Sequence, residues 1–295
     1  AWGSREISVM DVTAGGGSIP FEALRYGFTT YANELNPVAS VILKATLDYP
    51  ARFGEPLAQD IRHWGDIWAK RVAEKLAPFF PKGDGENIFA YLWARTVACP
   101  STGKPVPLSP NWWLSKEGGG VAAQLVADPA WDAPRFVIGL PGTEVPLPGT
   151  DRYIAITDPD KGTVSRGTGL SPWSHEAIDG DYIKAEAQAG RMGQMLYAVA
   201  VKRRGGFDFR APTDDDLQAI ARAEAELNRR LPEWEAKGWV PVEPYPTESN
   251  DPRPITYGMP RWADFFSPRQ LLAMLTFLEA LHEISAAMRQ RIDHK

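Results

Sequence analysis

Asp11-Val12-Thr13-Ala14-Gly15-Gly16-Gly17-Ser18-Ile19-Pro20 follows a short apolar run, Ile7-Ser8-Val9-Met10, and leads into Phe21 to Tyr26. The apolar run predicts a buried strand, and Phe21 to Tyr26 predict the first turns of a helix. In open α/β folds, strand, glycine loop and helix in that order bring backbone N–H groups up to a nucleotide-like ligand. Glycines carry no Cβ, so the turn can be tight and a ligand can touch the main chain. A second apolar stretch, Thr29-Thr30-Tyr31-Ala32-Asn33, ends at Glu34. A carboxylate about 20 residues past the first glycine is placed to accept hydrogen bonds from ribose hydroxyls.

Two ligands compete for this pattern. A dinucleotide fingerprint asks for G-x-G-x-x-G, but Pro20 stands where its last glycine is due. Proline is tolerated there, because the first helical turn has no use for its missing N–H. Asp11, just before the loop, would repel a pyrophosphate. It suits a ligand with a cationic centre and an amino group, such as S-adenosylmethionine. The plain alternative is a glycine turn without chemistry; the acids on both sides favour the cofactor. D-x-x-A-G-G-G-S-I-P followed by Asn33-Glu34-Leu35-Asn36-Pro37 resembles the cofactor half of an amino-directed DNA methyltransferase. The residues expected to hold S-adenosylmethionine are Asp11, Ala14, Gly15, Gly16, Gly17, Glu34 and Asn36. Asp11 would take the methionine amino end, the glycines would let the backbone meet the cofactor, and Glu34 would take the ribose.

The chain has 295 residues, 44% hydrophobic and 23% charged, enough for two domains or for one with a large insertion. Its 32 basic and 37 acidic side chains give a formal charge of −5, so any DNA-binding face must be a local patch. A single cysteine, Cys99, excludes an internal disulfide framework and fits a reducing cytoplasm. No signal peptide is visible and no apolar run approaches the roughly 20 residues that cross a bilayer, so a cytoplasmic protein without a membrane partner is expected. Both ends look cut: a strand begins within a few residues, and the chain stops in a charged helix, Arg289 to Lys295.

Four segments follow from the pattern. Residues 1–56 form the strand-loop-helix half expected to bind the cofactor; Asn36-Pro37 opens a helix from Val38 to Tyr49, closed by Pro50 and Gly54. Residues 57–86 are a helical connection, with Leu57, Ile61, Trp64, Trp68, Val72 and Leu76 in one apolar stripe and His63 on the surface. Residues 87–212 are a β-rich insertion, with strands expected at Ile88–Val97, Arg135–Ile138 and Tyr153–Ile156, and a loop tip at Gly118-Gly119-Gly120. Residues 213–295 are helical. Thr213 caps one helix, with Asp214, Asp215 and Asp216 at its positive end. Ser267 and Pro268 start the last helix, whose buried stripe is Leu271, Leu275, Leu278, Leu281 and Ile284. The fold expected is thus α/β: a partial Rossmann-like methyltransferase sheet with a β-rich insertion and C-terminal helices.

The insertion carries a further resemblance. Leu92 to Pro100 looks like the lead-in to a zinc knuckle, and Gly162 to Gly167 with Ser171-Pro172-Trp173-Ser174 like its second half. Asp181 to Gly193 and Phe266 to Leu272 continue the match. After the glycine loop and in this order, these pieces resemble adenine-specific DNA methylases that carry a zinc-ribbon insertion. The resemblance implies S-adenosylmethionine as cofactor, double-stranded DNA with base flipping as substrate, and DNA methylation of the restriction-modification kind. Two departures stand out. A structural zinc needs four ligands, whereas here only Cys99 remains, Ser171 and Ser174 stand where the second pair is due, and His175 cannot complete the set. No metal is therefore expected, and Trp112, Trp113, Trp131 and Trp173 are candidates to hold the insertion by packing. The family's [DNS]-P-P-[YFW] catalytic loop is also missing. Asp128-Pro129-Ala130-Trp131 lacks the second proline, and Asp158-Pro159-Asp160 and Asp251-Pro252-Arg253 lack the aromatic, so no catalytic residue is assigned. The chain is expected to be inactive alone, with a second polypeptide or a longer chain supplying the loop. The other readings are a non-catalytic DNA-binding or assembly module, and, third, a nicotinamide-dependent oxidoreductase.

Lys184, Arg191, Lys202, Arg203 and Arg204 could meet phosphates or form a solvated face. Arg269 and Gln270 sit at a helix start, which attracts anions. His63, His175, His282 and His294 show no metal-ligand spacing.

Overall fold

The chain begins with two strands that pair in parallel. In the computed structural model, which describes residues 7–81 and 86–293, β1 (Ser8–Asp11) aligns Ser8 with Thr29 and Asp11 with Ala32 of β2 (Thr29–Ala32). Helix α1 (Ser18–Arg25) makes the crossover. Helix α2 (Pro37–Leu43) follows β2 and runs through a π-helical turn, Lys44–Asp48, into α3 (Tyr49–Leu76). The chain divides into two compact units, unit 1 from Ala1–Glu74 and Glu279–Lys295, unit 2 from Lys75–Leu278.

Unit 1 is held by local chemistry more than by packing. The apolar cluster beneath its glycine loop is small: Ala14, Leu43 and Leu47. The strand expected to be buried is open: Ile7 is exposed and Met10 is 68% exposed. Parallel strands are buried when the sheet continues on both sides and helices cover both faces; two strands with helices α1 and α2 supply neither. Of the two residues expected to close the helix, Pro50 is passed through and Gly54 makes the break, with φ 59° and ψ −147°, a backbone conformation that glycine alone adopts at low cost; Pro56 restarts the helix. The stripe of α3 turns inward only near its end: Val72 and Leu76 are buried, Trp64 and Trp68 half-buried, and Ile61 is exposed. His63 is exposed, edge-on to Trp64.

Unit 2 is strand-rich. Its strands are β3 (Ile88–Ala98), β4 (Pro105–Leu108), β5 (Trp113–Ser115), β6 (Val121–Val126), β7 (Arg135–Gly139), β8 (Glu144–Pro146), β9 (Tyr153–Ala155), β10 (Val164–Ser165), β11 (Thr168–Leu170) and β12 (Ala177–Ile178). After helix α4 (Gly180–Gln188) come β13 (Gly193–Arg203) and β14 (Gly206–Arg210), then helices α5 (Asp214–Ala236), α6 (Arg253–Thr256) and α7 (Pro268–Asp293). The largest sheet is antiparallel, in the order β14-β13-β3-β4, beside smaller sheets β5-β6-β7, β8-β9 and β10-β11-β12. The protein is thus mixed α/β with several separate sheets among the described residues.

Packing explains most of unit 2. Trp112 is buried against Phe136 and Tyr197, with ring centroids 5.2 and 5.4 Å away. Trp113, Trp131 and Trp173 are half-buried against neighbouring clusters. Thr213 and Asp216 form a reciprocal capping box at the start of α5. Leu227 and Trp234 of α5 pack on Leu271, Leu272 and Leu275 of α7. One residue of the expected α7 stripe, Leu281, is exposed instead. A helix turns about 100° per residue, which carries Leu281 roughly 140° from the face centred between Leu275 and Glu279. Pro268–Arg289 is also long and apolar enough, at mean hydropathy 1.4, to cross a membrane by composition. That corrects the expectation that no stretch comes close, although Leu271, Leu272 and Leu275 spend this apolar character on the α5 core.

Candidate cofactor site

The glycine loop leaves β1 at the carboxyl end of the parallel pair. Ala14 N–H donates to Asn33 O at 3.0 Å and Gly17 N–H to Ala14 O at 2.8 Å, which closes a tight turn. Gly17, at φ 86°, is the residue before α1, and a Cβ on it would meet Leu43 Cδ2 at 2.8 Å. Gly15 and Gly16 differ: a Cβ on either would meet nothing within 4 Å. The loop therefore has one glycine for close packing and two with open space beside them.

Glu34, just beyond β2, reaches back to this loop. Its Oε2 accepts the Gly15 N–H at 2.7 Å, and its Oε1 accepts the Asn36 N–H at 2.9 Å. These two donors, Asn36 first, hold the Glu34 carboxyl below the usual carboxylate range against a smaller opposing effect of desolvation. A carboxylate offers about four acceptor sites, so half of the capacity of Glu34 is left for other donors. Asp11 lies at the end of the neighbouring strand; its Oδ1 accepts the Thr13 N–H at 3.2 Å, and its Oδ2 has no partner among the described residues. The two acids thus sit at the same end of adjacent strands, on either side of the glycines. Asn36 has a different duty: its side-chain oxygen caps α2, accepting from Val38 N–H at 2.9 Å and Ala39 N–H at 3.3 Å. Ala14 is buried beneath the loop. A cavity of about 450 Å³ borders Glu34, walled by Pro20, Leu24, Thr30, Leu43 and Leu47, while Asp11 and the three glycines lie outside its lining. Its volume is within the size range of small-ligand clefts.

Several of the residues weighed elsewhere take part in turns or ion pairs. Asp128 forms a turn, accepting the Ala130 N–H at 3.1 Å, and pairs with Arg152 at 2.9 Å. Asp158 also accepts within its own turn, and Asp251 is held by Arg253 at 2.7 Å. Of the five basic residues, Lys184 pairs with Asp181, Arg191 with Glu186 and Arg203 with Asp208, so three of them form a solvated, ion-paired face. His175 is exposed; His294 lies outside the described residues.

Cys99 lies in a nest of hydroxyl side chains. Cys99 Sγ lies 3.1 Å from Ser171 Oγ, 3.6 Å from Ser174 Oγ, 3.4 Å from Ser101 Oγ and 3.2 Å from Glu176 Oε1. Burial opposes ionisation of this thiol, but the surrounding hydroxyls outweigh it and pull its pKa down to about 7. Neutral hydroxyls are poor zinc ligands, and no group of three or more His, Cys, Asp or Glu suited to a metal occurs among the described residues. The nest is closed by hydrogen bonds.

Sequence reasoning missed one buried network. Asp216 is almost fully buried and accepts from Arg210 Nη1 at 2.6 Å, the Thr213 N–H at 2.9 Å and the Tyr91 hydroxyl at 3.3 Å. Arg210 also donates to Glu86 at 2.8 Å. The capping-box spacing Thr213-x-x-Asp216 was the available signal; nothing local marks Arg210 as its partner. Comparison of the chain with protein-family models, with curated proteins and with solved structures found no match.

Proposed function

We propose that the chain is the S-adenosylmethionine-binding part of a DNA methyltransferase directed at the amino group of adenine. The observation that carries this reading is the 2.7 Å bond from the Gly15 N–H to Glu34. It fixes a carboxylate with spare lone pairs beside two glycines that have open space in front of them. Glu34 would accept the ribose hydroxyls, the unpartnered oxygen of Asp11 would take the cationic methionine end, and Gly15 and Gly16 would lie against the nucleoside. Gly17 and Asn36 would keep the loop and α2 in place. Bound S-adenosylmethionine supplies an electrophilic methyl group. Asp11 also argues against a dinucleotide, because an acid at the strand end just before the loop would repel a pyrophosphate. The sequence has no [DNS]-P-P-[YFW] loop to align a target amino group, so the chain by itself binds the cofactor without turning it over.

Calorimetric titration with S-adenosylmethionine, its demethylated product and NAD tests the reading. Both sulfur compounds should bind and NAD should not, and Glu34→Ala should weaken S-adenosylmethionine at least tenfold. Binding of NAD alone, no binding of any of the three, or clear methylation of unmodified DNA by the lone chain would overturn it.

A further inference from the structure

Unit 2 contains a cavity of about 900 Å³ between β3 and the start of α7. We propose that it binds a nucleotide, with the base among its aromatic side chains and the phosphate on Arg269 and Arg95. The inference is independent of the cofactor reading, which concerns unit 1.

Arg269 carries the argument. It is 6% exposed, yet no carboxylate among the described residues forms an ion pair with it. Its guanidinium carbon lies 3.8 Å from the centroid of the Tyr91 ring and 5.0 Å from that of Phe80. The rings hold the cation in one orientation, but they leave most of its N–H edge free. Its one hydrogen-bond acceptor among the described residues is Phe79 O, at a long 3.5 Å, for a group with five donors. None of its nitrogens is both sealed from solvent and without a partner, since the one such buried atom among the described residues is the Trp234 indole nitrogen. The spare donors therefore open into the cavity. A planar, preoriented guanidinium with free edges is suited to a bidentate oxyanion.

The rest of the lining agrees. Arg95 is exposed, and the one side-chain acceptor it meets is the weak Met259 Sδ at 3.5 Å. The cavity's carboxylate, Asp264, is already neutralised by Arg261 at 2.9 Å. The free charge of the cavity is thus positive. Strand period places Tyr91, Trp93 and Arg95 on one face of β3, at steps of about 6.7 Å. Phe265 and Phe277 also line the cavity. Aromatic faces beside fixed cations recognise a base and its phosphate together, and every base has a face to stack.

Thymidine 5′-monophosphate is the probe, because it has no adenosyl group to enter unit 1. Calorimetry should give saturable binding to the full chain, with thymidine and inorganic phosphate each at least tenfold weaker. Arg95→Gln, an exposed change, should weaken the monophosphate at least tenfold and leave S-adenosylmethionine titration unchanged. Arg269→Gln should do the same; should it fail to fold, Arg95→Gln and the thymidine comparison still decide. Displacement of the monophosphate by an eight-residue thymidine oligonucleotide would mean that the site takes a nucleotide within a single strand. Binding of the monophosphate without such displacement would mean a free nucleotide. Monophosphate binding no tighter than phosphate, or unaffected by Arg95→Gln, overturns the proposal.

Discussion

Unit 1 and unit 2 solve the same problem of holding a polar site in opposite ways. In unit 2, polar groups sit inside packed aromatic and aliphatic clusters, as Asp216 does beside Tyr91 and Arg210. In unit 1, the acids and glycines are tied by short backbone hydrogen bonds, while Met10, Leu35 and Val38 face outward. A parallel pair of two strands cannot bury both faces, so its loop geometry has to be fixed locally. The lesson is that the same order of binding residues can be kept by hydrogen bonds where burial is not to be had.

The largest expected effect separates the units directly. Trp234 is fully buried on α5, with the Arg230 guanidinium 4.2 Å above its ring. Trp234→Ala should cost about 3–5 kcal/mol, the transfer loss plus the cavity it leaves. Leu35 is 96% exposed, and Leu35→Ala should change stability by no more than about 0.5 kcal/mol. Urea denaturation followed by circular dichroism measures both. An equal loss in the two variants would break the comparison, because the outward apolar residues of unit 1 would then be covered in solution.

The next effect sharpens it through pH. Burial alone would raise the Asp216 pKa, but the Arg210 guanidinium and the Thr213 amide and hydroxyl outweigh burial and hold it below the ordinary value. A carboxyl whose folded pKa is depressed contributes stability that is full above its unfolded value and is lost as pH falls through the folded one. The unfolded value is about 3.9, so this contribution is complete at neutral pH and drains away below about pH 4. Asp216→Asn should cost about 3 kcal/mol at pH 7, the scale for breaking one partner out of a buried pair. The gap between wild type and variant should then narrow steadily on acidification. A gap that stays constant from pH 7 to pH 3 would show that the network contributes packing alone.

What the sequence made legible divides along the same line. The strand-loop-helix order, the helix start at Asn36-Pro37, the caps at Thr213 and Ser267, and the strands at Ile88, Arg135 and Tyr153 were readable because each depends on residues within a few positions. Glu34 was readable because its distance from the glycines is set by one helix and one strand. The openness of β1 was not, since burial depends on what lies beside a strand, and Ile7 to Met10 carry the same apolar letters either way. Arg269 between Phe80 and Tyr91 was hidden for the same reason: it is far along the chain from both rings. Ser171 and Ser174 were placed beside Cys99 by resemblance to a zinc ribbon, but Glu176 in that nest had no local signal.

The smallest effects lie within the glycine loop and distinguish its packing glycine from an open one. Gly17 has φ 86°, and a Cβ there meets Leu43 and Leu47. Gly17→Ala should destabilise the protein by about 1–2 kcal/mol, the cost of a left-handed non-glycine residue, with the contact added. Gly16 lies outside the left-handed region, and a Cβ on it has nothing within 4 Å. Gly16→Ala should therefore leave the midpoint of thermal unfolding within about 1–2 °C of wild type, as for a change below about 0.5 kcal/mol. If the open space is where the nucleoside lies, the same methyl group should weaken S-adenosylmethionine severalfold. Stability and affinity then move separately at neighbouring positions: Gly17→Ala lowers both, and Gly16→Ala lowers affinity alone. A Gly16→Ala protein that binds the cofactor as tightly as wild type would mean that the open side of the loop is not where the ligand sits. The bond from Gly15 to Glu34 would then be a brace for the turn and no more.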